Sequence, residues 1–317
     1  MANKNILLLF ILFVSGLSLV IFIPPVFLSF SLYSYGTIEE SVIWYFPEDL
    51  SPNVDLNIIA DVGDIKIEYV EPSSDTYGKI DVNFKMCGVD LAGKSYTDYF
   101  SLEWETTNSS ANLTLKLLSE SWFDPSLWSM KNVSIVVSLR KDIIFDIITT
   151  INEGDFELLV PYGVSVGDII TNISVGNILY HFEYCIIGGN ITGSTYKGDL
   201  ELKSYDVEYT QNCNWTLDCK YGDMGIEIYQ NKEMGANITG TAVITNGNVK
   251  LVYKDNTANI GAKFDFNLSG TPEEQLGFTV ILWDSMFSYK SLDFPTKNIY
   301  RLLLNITGLR SIDIVSQ

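Results

Sequence analysis

A short phrase recurs between Gly154 and Asn267: Gly, then Asp or Asn, then an apolar residue, then alternation of apolar and polar positions. One series reads Gly154-Asp155-Phe156, Gly176-Asn177-Ile178, Gly198-Asp199-Leu200, Gly222-Asp223-Met224 and Gly247-Asn248-Val249, at steps of 22, 22, 24 and 25 residues. A second series is interleaved with it. It reads Gly167-Asp168-Ile169, Gly189-Asn190-Ile191, Cys213-Asn214-Trp215, Ala236-Asn237-Ile238 and Ala258-Asn259-Ile260, at steps of 22, 24, 23 and 22. Two series in step define a repeat of 22 to 25 residues, a period that belongs to stacked coils.

The alternation behind each glycine sets the expected core. Two residues on stand Phe156, Ile178, Leu200, Met224 and Val249; four on, Leu158, Tyr180, Leu202, Ile226 and Leu251; six on, Val160, Phe182, Ser204, Ile228 and Tyr253. The intervening positions are mixed, as in Glu157, Leu179, Glu201, Gly225 and Lys250. Period two with one apolar face is a half-buried strand. One coil alone gains roughly 10 kcal/mol from about five buried side chains, and ordering it costs at least about twice that, so coils hold only as a stack. The second series has small or compact residues four positions in, Thr171, Gly193, Leu217, Gly240 and Ala262, which suits a narrow coil. An antiparallel meander is the rival, but hairpin turns favour Asn-Gly order and here Gly comes first. The expected fold is all-β: a parallel β-solenoid of about five coils with strand-rich caps, preceded by one N-terminal transmembrane helix.

The chain divides into four segments. Residues 1–36 read as a transmembrane anchor or a cleaved signal peptide. Ile6 to Ile23 is charge-free and apolar or small, about 27 Å long as a helix; Pro24-Pro25 ends it, and Ser34-Tyr35-Gly36 offers a cleavage site. Lys4 precedes the run and Glu39, Glu40, Glu48 and Asp49 come after it, which orients the N-terminus to the cytosol and the bulk outside. Residues 37–150 read as antiparallel strands capping the stack, with Gly63-Asp64-Ile65-Lys66-Ile67 as an early copy of the phrase. Residues 151–270 hold the coils, and 271–317 supply closing strands at Phe278–Trp283, Tyr300–Ile306 and Ile312–Val315.

Composition narrows the partners. A net charge of -19 argues against nucleic acid and against docking on anionic lipid. Cys213 and Cys219 fall on one strand about 20 Å apart, beyond disulfide reach; a Cys87–Cys185 bond has no specific support, and small core thiols are the simpler reading. One histidine and no Cys-x-x-Cys leave no zinc site. Gly163-Val164-Ser165-Val166-Gly167 matches a nucleophile-elbow pattern, but a β-phrase comes next where a helix is required, so it reads as a corner. Lone His181 is an outward residue. Glu201 and Glu227 fall on neighbouring coils, with Lys203 expected to pair with Glu227.

The Asx residues form two columns: Asp155, Asn177, Asp199, Asp223 and Asn248 at one corner, Asp168, Asn190, Asn214, Asn237 and Asn259 at the other. They read as structural caps that bond each local turn to its neighbour. Calcium is the competing use, but half the positions are amides and the ion needs six or more oxygens. Nine Asn-x-Ser/Thr sequons occur, at Asn108, Asn112, Asn132, Asn172, Asn190, Asn214, Asn237, Asn267 and Asn305. Since Asn190, Asn214 and Asn237 are also ladder residues, glycans are expected at Asn108, Asn112, Asn132 or Asn305.

The ten phrases, together with Gly63-Asp64-Ile65-Lys66-Ile67, resemble the bacterial and archaeal "putative adhesin" family of unknown function, with its toast-rack fold. The resemblance runs from Val54 to the C-terminus and brings no catalytic residues with it. It implies a membrane-anchored surface protein for structure, adhesion or partner binding, not an enzyme. An envelope sensor ectodomain and a carbohydrate-active enzyme are the alternatives. The expected partners are the membrane, through residues 6–30, and a cell-surface glycan or protein, with no cofactor and no nucleic acid. The expected location is the cell membrane, single-pass, with the C-terminal domain outside, or secretion if the leader is cleaved.

Overall fold

The computed structural model describes residues 35–72, 78–89, 91–118, 128–232, 234–255, 260–269, 277–279, 283–285, 288–290, 298–307 and 309–316. The apolar run expected to cross the membrane lies outside them. Among the described residues no helix is long and apolar enough to cross a membrane.

These residues are all-β. The lead-in strands are β1 (Tyr35–Tyr45), β2 (Asn53–Val62), β3 (Asp64–Val70), β4 (Lys79–Val89), β5 (Phe100–Thr106), β6 (Ser110–Leu117) and β7 (Trp128–Arg140). The repeats supply β8 (Ile144–Glu153), β9 (Phe156–Val160), β10 (Ser165–Val175), β11 (Ile178–Glu183), β12 (Ile186–Ile187), β13 (Ile191–Lys197), β14 (Leu200–Tyr205), β15 (Glu208–Tyr209), β16 (Cys213–Tyr221) and β17 (Met224–Gln230). After them come β18 (Ile238–Asp255), β19 (Ile260–Ser269), β20 (Gly277–Thr279), β21 (Trp283–Ser285), β22 (Ser288–Lys290), β23 (Asn298–Thr307) and β24 (Leu309–Ser316).

From β8 to β18 the chain alternates between two sheets, and each return lands parallel to the strand one coil before. In sheet A, β9, β11, β14, β17 and the second half of β18 stack with Phe156, Ile178, Leu200, Met224 and Val249 in one register. In sheet B, β8, β10, β13, β16 and the first half of β18 do the same. The inward residues of both sheets meet between them. Every residue two, four or six places after a first-series glycine is buried, from Phe156 to Tyr253. Ser204 is the polar member, and its hydroxyl lies 3.3 Å from that of Tyr209. Gly193 of β13 faces the Tyr180 ring of β11; a Cβ there would stand 2.9 Å from the ring, so the missing side chain makes room for the aromatic one.

The lead-in differs from the antiparallel cap expected. Gly63-Asp64-Ile65 does open a coil, since Ile65 pairs with Phe156 in parallel. β3 lies between β7 and β9, parallel to both, and β2 lies between β6 and β8, parallel to both. Only the outer pairings, β1 with β4, β4 with β7 and β5 with β6, are antiparallel. The stack therefore begins before residue 151. Its far end also departs from the repeat: β23 inserts between β18 and β19, so the coil opened by Ile260 never lies directly on the coil before it. Chain returning from the C-terminus covers that edge, in keeping with the cost of leaving a sheet edge unpaired.

Candidate functional site

The corners between the sheets fix where every outward side chain points. At the entry to sheet A each Asx side chain accepts a hydrogen bond from the backbone N–H of the Asx one coil further on. Asp155 N–H donates to Asp64 Oδ1 at 3.0 Å, Asn177 to Asp155 at 2.7 Å, Asp199 to Asn177, Asp223 to Asp199 and Asn248 to Asp223, each at 2.8 Å. The glycine before each Asx sits against its neighbour: a Cβ on Gly176 would fall 1.9 Å from the Gly154 carbonyl oxygen. Gly and Asx are thus one device, close approach plus a rung.

At the entry to sheet B the ladder starts one coil earlier than the sequence phrase. Asp168 N–H donates to Asp146 Oδ1 at 2.7 Å, Asn190 to Asp168 at 2.6 Å and Asn214 to Asn190 at 3.0 Å. It then shifts. Asn237 N–H donates to Asn212, not Asn214, at 3.1 Å, because Cys213 pairs with Ile238. The expected Asn214–Asn237 rung is corrected accordingly, and Asn259 lies outside the described residues. Among the described residues no group of three or more His, Cys, Asp or Glu could hold a metal ion.

The outward face of sheet A has a distinct chemistry. Across the strands, one column runs Glu157, Leu179, Glu201, Gly225, Lys250 and the next Leu159, His181, Lys203, Glu227, Val252, of which Val252 is buried. Gly225 leaves a gap in the first column. A shallow groove of about 330 Å³ opens over it, edged by Asp199, Glu201, Asp223, Asn248 and Lys250. Lys203 pairs along its own strand with Glu201 at 2.9 Å, and Glu227 pairs with Lys250 at 3.4 Å; the expected Lys203–Glu227 pair is replaced by these two. Further along the same strands Tyr205 stacks on Tyr229 at 5.2 Å, and His181 meets Tyr205 edge-on at 5.5 Å. The Tyr205 hydroxyl donates to Glu227 at 3.0 Å. Burial first, and then the Glu227 carboxylate that accepts this bond, push the Tyr205 phenol up to about 12. The groove, the paired charges and the tyrosines form one strip across the coils.

A second pocket, about 210 Å³, lies where the chain leaves sheet A. Tyr184 and Asp206 hold left-handed backbone there, at φ 50° and 49°. Lys232 lies over the Tyr184 ring at 5.2 Å, and Asp206 accepts bonds from the Asn231 N–H and side-chain amide. Ser165 of the elbow-like pattern opens β10, so a strand comes after it, not a helix. Cys87, Cys185, Cys213 and Cys219 are not joined in disulfides. Of the glycan candidates, Asn108 is exposed in the turn between β5 and β6, Asn112 is half-buried on β6, Asn132 is exposed on β7, and Asn305 lies on β23 between two parallel neighbours.

No protein-family model matches the chain, and no curated protein is significantly similar to it. Solved structures similar to it include a putative cell adhesion protein from Clostridium sporogenes, 12% identical over 88% of this chain and 100% of that one, with a TM-score of 0.33. A putative adhesin from Bacteroides fragilis is 11% identical over 87% and 97%, with a TM-score of 0.29. One from Parabacteroides distasonis is 13% identical over 89% and 97%, with a TM-score of 0.33. Their names are those of the family that the repeats resemble; at these scores the likeness carries no argument about function.

Proposed function

We propose that the chain is a membrane-anchored extracellular module, a parallel β-solenoid of about five coils, that binds a cell-surface glycan through the outward face of sheet A. The anchor is the charge-free run from Ile6 to Ile23, and Lys4 ahead of it, with no further Lys or Arg before Lys66, supports coils on the outer side. The observation behind the binding reading is the strip across β14, β17 and β18. Gly225 leaves a polar-edged groove, and stacked Tyr205 and Tyr229 stand about 13 Å along the same strands. Aromatic faces take the apolar side of a sugar ring, while carboxylates, amides and a lysine take its hydroxyls. A rigid stack holds these groups at fixed spacing without a cost of ordering on binding.

The test is a glycan array probed with the full chain in detergent, alongside Tyr205→Ala and Glu227→Gln. Binding to a defined glycan class, weakened about tenfold or more by either change, supports the proposal. Equal binding by all three, or none to any glycan, rejects sheet A as the binding face.

A further inference from the structure

The sequons are not spread evenly over the molecule. All but Asn132 fall on strands of sheet B or on the turns entering them. Much of this comes from the fold. Outward positions of sheet B are rich in Asn, Thr and Ser, and alternation turns an outward Asn followed by an outward Thr into a sequon with an apolar residue between. Asn190 and Asn214 belong to that class. Asn190 donates its amide to Asp168 at 3.3 Å and its oxygen accepts from Asn214 N–H, while Asn214 donates its amide to Thr216 at 3.2 Å.

Asn172 is different. It lies on β10, one outward position past the ladder corner and Ile170, is exposed, and its side chain makes no hydrogen bond with any described residue. Its cross-strand neighbours are Thr150 on one side and Ser194 on the other, and Ser174 completes its sequon outward on the same strand. Beside it lies an apolar patch. Ile170 is its neighbour on β10 and pairs with Ile148, while Ile59 pairs with Thr150. Ile148 is 41% exposed and Ile59 40%, so Ile170 and Ile148 adjoin one unengaged Asn, with Ile59 one strand beyond Thr150.

We propose that Asn172 is an N-glycan attachment site and that its first sugars lie over Ile59, Ile148 and Ile170, so that sheet B bears sugar while the strip across β14, β17 and β18 of sheet A is left bare. The reaction is transfer from a lipid-linked oligosaccharide diphosphate by a membrane transferase. A bond forms between Asn172 Nδ2 and the anomeric carbon, the bond from that carbon to the diphosphate oxygen breaks, the lipid diphosphate leaves with the electron pair, and the amide gives up one proton to the transferase's base. The proposal rests on the chain being exported.

The full chain, produced in a host whose secretory route N-glycosylates, is mapped by peptide mass spectrometry with and without N-glycosidase. Most exported chains are expected to carry sugar on Asn172 and none on Asn190 or Asn214. Asn172→Gln should remove one glycan step on a gel, and glycosidase treatment of the folded protein should raise its binding of an apolar dye. Exported chains with bare Asn172, or with sugar equally on Asn190 and Asn214, overturn the assignment. Protease accessibility reports export independently. A second version, with a foreign cleavable signal ahead of the full chain, decides the site when the native leader fails to export, a failure that counts against the membrane topology alone.

Discussion

At the scale of single residues, the repeat is a demand for a missing Cβ beside a short oxygen acceptor. Gly154, Gly176, Gly198 and Gly222 all hold φ between 141° and 154°, each with the carbonyl of the corner glycine one coil before it where a side chain would begin. Gly163 separates the two causes, since at φ 77° it has open space around it. Gly163→Ala therefore meets only the left-handed penalty, about 1 kcal/mol. Gly176→Ala must also push a coil aside, and a cost of about 3 kcal/mol is expected from strain of this kind. Urea unfolding of the two variants checks the difference, and equal losses would mean that dihedral preference alone keeps the glycines. The Asx ladder was legible from sequence because side-chain type and spacing repeat together. The one rung misread, Asn237 on Asn212, fails for a plain reason. Asn212 and Asn214 stand two apart on the same face, and alternation gives no means of choosing between them.

At the scale of elements, periodicity fixed which residues of each strand are inward but not which strand lies beside it. The phrase at Gly63 links β3 to the coils, but β2 falls in the segment that reads as a cap, because nothing local distinguishes a parallel from an antiparallel neighbour and the partners β8 and β9 are 91 residues away in the ladder from Asp64 to Asp155. The insertion of β23 is hidden for the same reason. Buried thiols offer a probe of how firmly the elements close. Cys185, Cys213 and Cys219 are buried, and burial pushes each thiol up to about 12, whereas Cys87 is half-exposed on β4. In the native protein at pH 8 one thiol should react quickly with an aromatic disulfide reagent, and the other three only on unfolding. A folded-state value above the unfolded one favours the protonated thiol, so this contribution to stability is complete below about pH 8.5 and is lost as pH rises toward 12. Stability to urea should fall across that window, and replacing the three cysteines with alanine or serine should flatten the slope. An unchanged slope would assign the alkaline loss to other groups.

At the scale of the whole molecule, the stack behaves as a column of near-identical units, each held mainly by the coil on either side. That makes coil number a variable. Residues 176–197 form one unit of the 22-residue step, and removing them joins Val175 to Gly198 with the Gly-Asx phrase, its rung and the alternation intact. The deletion also takes Tyr180 and Gly193 together, so the ring leaves with the space that admits it. Phe156 then faces Leu200, as Ile178 did before. Removing 176–196 instead leaves one extra residue ahead of the corner glycine, which shifts the register and turns the inward set outward. The 22-residue deletion should give a soluble, cooperatively unfolding β-protein of reduced stability, and the 21-residue deletion an aggregated one, as read by circular dichroism and sedimentation. If both deletions fold alike, the register is set by something other than the alternation behind each glycine. If neither folds, the coils are not interchangeable units, and the irregular steps after Asp199 mark contacts specific to each coil.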